Sequence, residues 1–231
     1  MLARFERITD TMSLRHRENA LFADWLRVRD DFVPDGVIDE VEYLQSRVRV
    51  LMVLKENNGF YGGDIRSLLR DGERTPTWLN VTRWLKGIGA LPAEVPWTEL
   101  ESIDLTERQR LLRSISVMNL KKSPGGHTAE SRNVWRVARE DRMFLKRQFD
   151  LYDPHLIICC GSTTSACFHE VVLDGVAFDF CRTRRGVPYY ARSTGRFVAE
   201  YSHPEARVQD NLLCYGLIDA VREVIGPRET G

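Results

Sequence analysis

Three apolar runs in this chain each end in a short polar motif, and that arrangement restricts the fold more than any other feature. Val48–Leu54 ends in Lys55-Glu56-Asn57-Asn58-Gly59-Phe60-Tyr61-Gly62-Gly63, and Ile115–Met118 in Asn119-Leu120-Lys121-Lys122-Ser123-Pro124-Gly125-Gly126. Phe197–Tyr201 ends in Ser202-His203-Pro204-Glu205-Ala206-Arg207. Val48–Leu54 shows almost no alternation, as expected of a strand buried on both faces of a parallel sheet. An open sheet of that kind binds ligands in the crevice outside the carboxyl ends of its strands, so three motifs far apart in sequence are expected to meet in one cleft.

The rest of the chain fits that expectation. Helical spacing marks Arg17–Phe32, Val37–Arg47, Thr77–Ile88, Trp97–Leu112, Ser131–Leu151, Ser165–Val172 and Gln209–Ile225. Leu156–Cys160 reads as a further strand, entered through Pro154 and left through Gly161-Ser162. Strands and helices alternate without repeats or a low-complexity linker, which predicts a three-layer α/β/α fold around a central, mainly parallel sheet of four strands. The expected organisation is a single domain, with residues 1–47 as a helical appendage packed on it.

The 231 residues carry 33 basic and 33 acidic side chains, so net charge neither suggests nor excludes a nucleic-acid partner. The charges are unevenly placed. Asp30–Glu42 holds six carboxylates and no Lys or Arg, whereas Cys181–Arg207 holds six arginines against two glutamates. The five cysteines, Cys159, Cys160, Cys167, Cys181 and Cys214, form neither a disulfide framework nor a zinc pattern and read as reduced and structural. Met1–Arg15 lacks the apolar core of a signal peptide, and no apolar stretch approaches the roughly 20 residues of a membrane span. A soluble, cytoplasmic monomer is the expectation, with no membrane partner and no metal.

The reactive candidates are Glu56, Asn57, Asp64, Asn119 and His203. An asparagine amide carries one acceptor and two donors in a plane, which suits a pyrimidine edge or the orientation of a water. His203 can donate toward developing negative charge or titrate near neutrality. Glu56 and Asp64 can activate water or stabilise a cation, although Asp64 is equally placed to cap a helix starting at Ile65. Lys121, Lys122 and Ser123, with the amides of Gly161 and Ser162, can contact phosphates; the alternative for the lysines is simple solvation. Phe60 and Tyr61 can stack on a base or serve as core or lid. The Gly-x-Ser-x-Gly, His-Glu-x-x-His and P-loop patterns are absent.

In order and placement these motifs resemble the uracil-DNA glycosylase superfamily, most closely its single-strand-selective and mismatch-specific branches. The family's Gly-Met-Asn-Pro-Gly-Pro-Phe-Gly is similar to Lys55 through Gly62, and its His-Pro-Ser-Pro-Arg to His203 through Arg207. Its base-reading asparagine ends a strand as Asn119 does, and the Asp153-Pro154-His155 to Gly161-Ser162 segment is also similar. The likeness spans about Val48 to Asn211. It implies that Asn57 positions water or acts at the sugar, Asn119 binds a flipped base, His203 stabilises the departing oxyanion, and Arg207 leads into the part that wedges the duplex. It further implies DNA as partner and hydrolysis without a cofactor. Members with an iron–sulfur cluster hold it by four cysteines, some near the N-terminus, and this chain has no cysteine before Cys159.

Two departures stand out. Lys55-Glu56 replaces a small and an apolar or amide residue, which makes Glu56 the preferred additional catalytic group. Gly62 and Gly63 leave little bulk where the uracil-specific branch blocks the base's C5, so a larger modified pyrimidine is expected to fit. An anti-phage branch of the superfamily removes glucosylated hydroxymethylcytosine, which makes that base a candidate substrate and antiviral defence a candidate role. The competing readings are a non-catalytic nucleic-acid-binding module and a nucleotide hydrolase.

Overall fold

The computed structural model of the chain describes residues 12–57, 63–125 and 130–226. Its strands are β1 (Gly36–Val37), β2 (Val50–Leu54), β3 (Ile115–Asn119), β4 (Leu156–Cys160), β5 (Cys181–Arg182), β6 (Pro188–Ser193) and β7 (Arg196–Tyr201). Its helices are α1 (Leu14–Leu26), α2 (Glu40–Gln45), α3 (Ile65–Arg70), α4 (Pro76–Ala90), α5 (Trp97–Glu101), α6 (Leu105–Arg113), α7 (Ser131–Glu140), α8 (Arg142–Tyr152), α9 (Ser162–Val171) and α10 (Asp210–Ile225).

All the strands lie in one sheet ordered β1-β3-β2-β4-β7-β6-β5. The inner neighbours β3, β2, β4 and β7 run parallel. β1 at one edge and β5 and β6 at the other pair antiparallel. Among the described residues the sheet therefore has seven strands, not the four expected. The four parallel ones are those read from the sequence, and the additions are the antiparallel flanks: the edge strands β1 and β5 have two residues each, too few for a periodic signal, and β6 lies between β7 and β5.

Every residue of β2, β3 and β4 is buried. Val50, Met52 and Leu54 enter a core shared with α3, α4, α5, α6 and α10. Leu51 and Val53 enter a second core shared with α1, α2, α7, α8 and α9. Successive strand residues point to opposite faces, so a layer of helices on each side removes any need for polar alternation.

Carboxylates decide several boundaries. The helix expected over Ser131–Leu151 is two, α7 and α8, parted at Asp141, whose side chain pairs with Arg29 and does not cap α8. The one expected over Trp97–Leu112 restarts at Asp104, which caps α6 by accepting from the Glu107 N–H at 2.8 Å. The segment Val37–Arg47 starts as β1 and becomes helical only after Asp39, which accepts from the N–H groups of Val41 and Glu42. Residues from the expected appendage thus join the sheet itself.

β2 is joined to β3 on one side and, after the chain returns through α7 and α8, has β4 on the other. Such a reversal opens a crevice at the carboxyl ends of the strands that flank it, here β2 and β4.

Gly36 shows how tightly β1 is built in: its φ is +113°, and a Cβ there would lie 2.1 Å from Glu18 Oε1 and 2.6 Å from Tyr152 Oη. Gly195, at φ +71°, has nothing within 4 Å of such a Cβ. Gly195→Ala is expected to cost only the conformational penalty of about 1–2 kcal/mol, and Gly36→Ala clearly more, because a buried charge network must move as well. Urea unfolding midpoints at constant m-value measure the difference.

Candidate functional site

The polar exits of β2 and β3 stay zipped together beyond the strands. Leu120 N–H donates to Leu54 O at 2.9 Å, Lys121 N–H to Lys55 O at 2.9 Å, and Gly125 N–H to Asn57 O at 2.8 Å. These bonds hold Asn57 against Asn119, and the Asn119 side-chain Nδ2 donates to Asn57 Oδ1 at 2.9 Å. Both residues are buried, at 8% and 1% exposure.

The group beneath them is Asp35, fully buried in the segment leading into β1. It accepts from Asn119 backbone N–H at 2.7 Å and Nδ2 at 3.2 Å, from Lys122 Nζ at 2.6 and 2.8 Å, and from Gln148 Nε2 at 2.7 Å. Val33 N–H to Lys122 O, 3.0 Å, fastens the same segment. From Gln148 the network continues through Tyr152 Oη to Glu18, which also receives Arg15 and Arg66. Burial pushes the Glu18 carboxyl above its ordinary value against the opposing charge of Arg66. Burial likewise lowers the Lys122 ammonium, opposed by Asp35.

Three polar atoms of this arrangement remain without a partner among the described residues: Asn57 Nδ2, Asn119 Oδ1 and, deeper in the network, Gln148 Oε1. A buried unpaired donor or acceptor costs about 1–3 kcal/mol. The first two lie on adjacent, hydrogen-bonded amides at the exits of β2 and β3, a buried donor beside a buried acceptor.

Glu56 lies beside them with its side chain 7% exposed, its Oε2 receiving Lys121 Nζ at 2.5 Å. The same ammonium donates to the carbonyls of Ser123 and Pro124 at 3.1 and 2.9 Å. Gly125 makes room for this, since a Cβ there would fall 2.0 Å from Glu56 Cδ. Asp64, in contrast, is the N-cap of α3, accepting from Arg66 N–H at 2.8 Å and pairing with the Arg66 guanidinium at 2.7 Å. Gly63 precedes it at φ +94°. Phe60, Tyr61 and Gly62 lie outside the described residues.

His203 sits just beyond β7. Pro204 O accepts from Asn80 Nδ2 at 2.8 Å, and Glu205 Oε1 accepts from Thr77 N–H at 3.1 Å, so the loop is tied to the start of α4. Glu205 N–H donates to His203 Nδ1 at 3.1 Å, which assigns the proton of the neutral ring to Nε2. The ring has exposed surface, yet incomplete solvation, reinforced by Lys55 and opposed by Glu205, holds it below the usual histidine value.

An open cleft of about 370 Å³ at the ends of β4 and β7 is lined by Gly161, Ser162, Tyr201, Ser202 and Arg185, among others. Gly161 N–H is already committed to Tyr201 O at 2.6 Å, whereas Ser162 is exposed at the start of α9. Arg207 is exposed in the loop before α10. Lys121, Lys122 and Ser123 differ from the expectation of a phosphate contact: they are 5%, 0% and 4% exposed, and both ammonium groups are spent on internal carboxylates. An apolar neighbourhood admits a lysine only with such a partner.

Sequence reasoning missed Asp35, Gln148 and Gly125. Asp35 stood within the acidic stretch Asp30–Glu42, and its one distinguishing sign was a position between apolar Phe32-Val33 and Val37-Ile38. Among the described residues no three His, Cys, Asp or Glu side chains are grouped to hold a metal ion, and no helix is long and apolar enough to cross a membrane. Burial raises the thiols of Cys167 and Cys214 to about 12, which suits inert packing groups.

Breaking a buried pair costs more than removing it. Lys122→Met, which strands Asp35, is expected to lose ~3–5 kcal/mol of stability; combining it with Asp35→Asn should recover much of that loss in urea unfolding. No protein-family model matches this chain, and no curated protein gives a significant match.

Proposed function

We propose that the protein is a DNA glycosylase that hydrolyses the N-glycosidic bond of a flipped-out modified or deaminated pyrimidine and leaves an abasic site. The observation that carries this reading is the buried pair of unsatisfied amide atoms, Asn119 Oδ1 and Asn57 Nδ2, at the carboxyl end of a parallel sheet. A pyrimidine edge offers the complementary pair, a hydrogen-bond donor next to an acceptor. Extrusion is required because the glycosidic bond is inaccessible in stacked DNA.

In this reading Asn119 and Asn57 hold the base edge. His203 Nε2–H donates to the oxygen on which charge collects as the C1′–N bond breaks and its electron pair moves to the base. The Glu56 carboxylate, aimed by Lys121, stabilises the cationic sugar and orients the water that adds to C1′. Ser162 and Arg207 contact phosphates at the rim. The resemblance to uracil-DNA glycosylases supports the same assignment, and uracil, 5-hydroxymethyluracil and glucosylated hydroxymethylcytosine are the bases to test. The enzyme acts as a monomer without a cofactor, and a phage-modified base would place it in antiviral defence.

Incubation with single- and double-stranded oligonucleotides bearing these bases, followed by alkali, should reveal strand breaks at one of them. Absence of breaks on all, with salt-dependent DNA binding retained, would leave a binding module instead. His203→Ala should slow excision by about 100-fold or more while DNA affinity is kept. Because the His203 value lies below the ordinary 6.5, the neutral Nε2–H tautomer persists as pH falls through that point. The rate plateau contributed by this group should therefore extend below pH 6.5 and decline only on further acidification. Arg207→Ala should weaken binding to all sequences alike and reduce the slope of log K against log salt by about one.

A further inference from the structure

A primary amide is nearly symmetric in shape, so rotating an asparagine side chain by half a turn exchanges donor and acceptor at little steric cost. At the exits of β2 and β3, that exchange would replace the acceptor of Asn119 by a donor and the donor of Asn57 by an acceptor. Something must set the direction of the pair, and the contacts of Asp35 do so.

We propose that Asp35 is a positioning residue that sets the polarity of the Asn119–Asn57 amide pair and, through it, whether the site prefers a uracil-type or a cytosine-type edge; the base-edge part rests on the glycosylase reading. All the groups around the Asp35 carboxylate donate to it: Asn119 N–H and Nδ2, Lys122 Nζ and Gln148 Nε2. A carboxylate has no hydrogen to return, so Asn119 must turn Nδ2 toward it. The second Nδ2 hydrogen then goes to Asn57 Oδ1, 2.9 Å away, which turns Asn57 Nδ2 outward. Asn119 Oδ1 and Asn57 Nδ2 are left for an occupant. Lys122 keeps the carboxylate in place by binding both of its oxygens.

The consequence for substrate follows from ring chemistry. Uracil carries a hydrogen at position 3 and an oxygen acceptor at position 4; cytosine has an acceptor at 3 and amino hydrogens at 4. With the sugar in a given place, an acceptor–donor pair facing positions 3 and 4 accepts one of these bases and mismatches the other. Inverting the pair reverses the preference, whichever asparagine faces which position. Asp35 thereby acts on specificity without touching the base.

Two measurements test this. In the wild-type protein, both Asn119 side-chain amide hydrogens are paired, so by NMR they should exchange with solvent about tenfold or more slowly than those of the exposed Asn19. Exchange as fast as that of Asn19 would overturn the proposal, with no variant required. The second uses Asp35→Asn combined with Lys122→Met, which removes both charges and supplies an amide able to donate to Asn119 Oδ1. Its folding is checked by thermal melting. The wild-type preference between 5-hydroxymethyluracil and 5-hydroxymethylcytosine in otherwise identical oligonucleotides should fall by about tenfold or more, the discrimination of one base-edge contact. A folded double variant with the preference unchanged would overturn the proposal. If the wild-type protein excises no base from any oligonucleotide, the glycosylase reading fails and the exchange measurement alone decides the polarity of the pair.

Discussion

Asp35 and Lys122 face each other with no exposed surface on either side chain, 2.6 Å apart, between the first edge strand and the exit of β3. Taking both ions out of water carries a penalty of roughly several kcal/mol each, so a pair of this kind is weak evidence for stability by itself. It is tolerable because the remaining capacity of the carboxylate is filled by Asn119 and Gln148, and because the Lys122 ammonium also lies 5.2 Å from the centroid of the Trp25 ring. What the pair does is local and geometric. It joins the N-terminal segment, β3 and α8 at one point, and that point is directly under the asparagines.

From there the architecture of the cleft follows in steps. Parallel pairing brings the exits of β2, β3, β4 and β7 to one edge of the sheet. Backbone bonds between the first two exits keep Asn57 and Asn119 in contact. The carboxylate orients one amide and that amide orients the next, leaving an unpaired acceptor and donor in a buried place. Across β4, the His203 loop is anchored independently on α4 by Asn80 and Thr77, so the group that would meet developing charge is positioned by a different part of the core.

Lysine chemistry separates two residues that look alike in sequence. Lys121 and Lys122 are adjacent, and successive side chains leave the backbone in different directions. Lys121 reaches Glu56 at the cleft, and Lys122 reaches Asp35 below it. Neither meets solvent as a surface charge, because each is held by a carboxylate contributed from elsewhere in the chain. Asp64 is a similar case: a carboxylate at a strand exit whose lone pairs are used by a helix terminus and by Arg66.

The sequence by itself determined the four parallel strands, most of the helices and the placement of Asn57, Asn119 and His203 at strand ends, since burial on two faces and helical spacing are properties of consecutive residues. Only the tertiary structure decided the edge strands, the division of long helices at Asp141 and Asp104, and the roles of Asp35, Gln148 and Gly125. Asp35 is 84 residues from Asn119 and 87 from Lys122 along the chain. The value of such a carboxylate depends on which donors surround it after folding, and no local pattern in the chain encodes that.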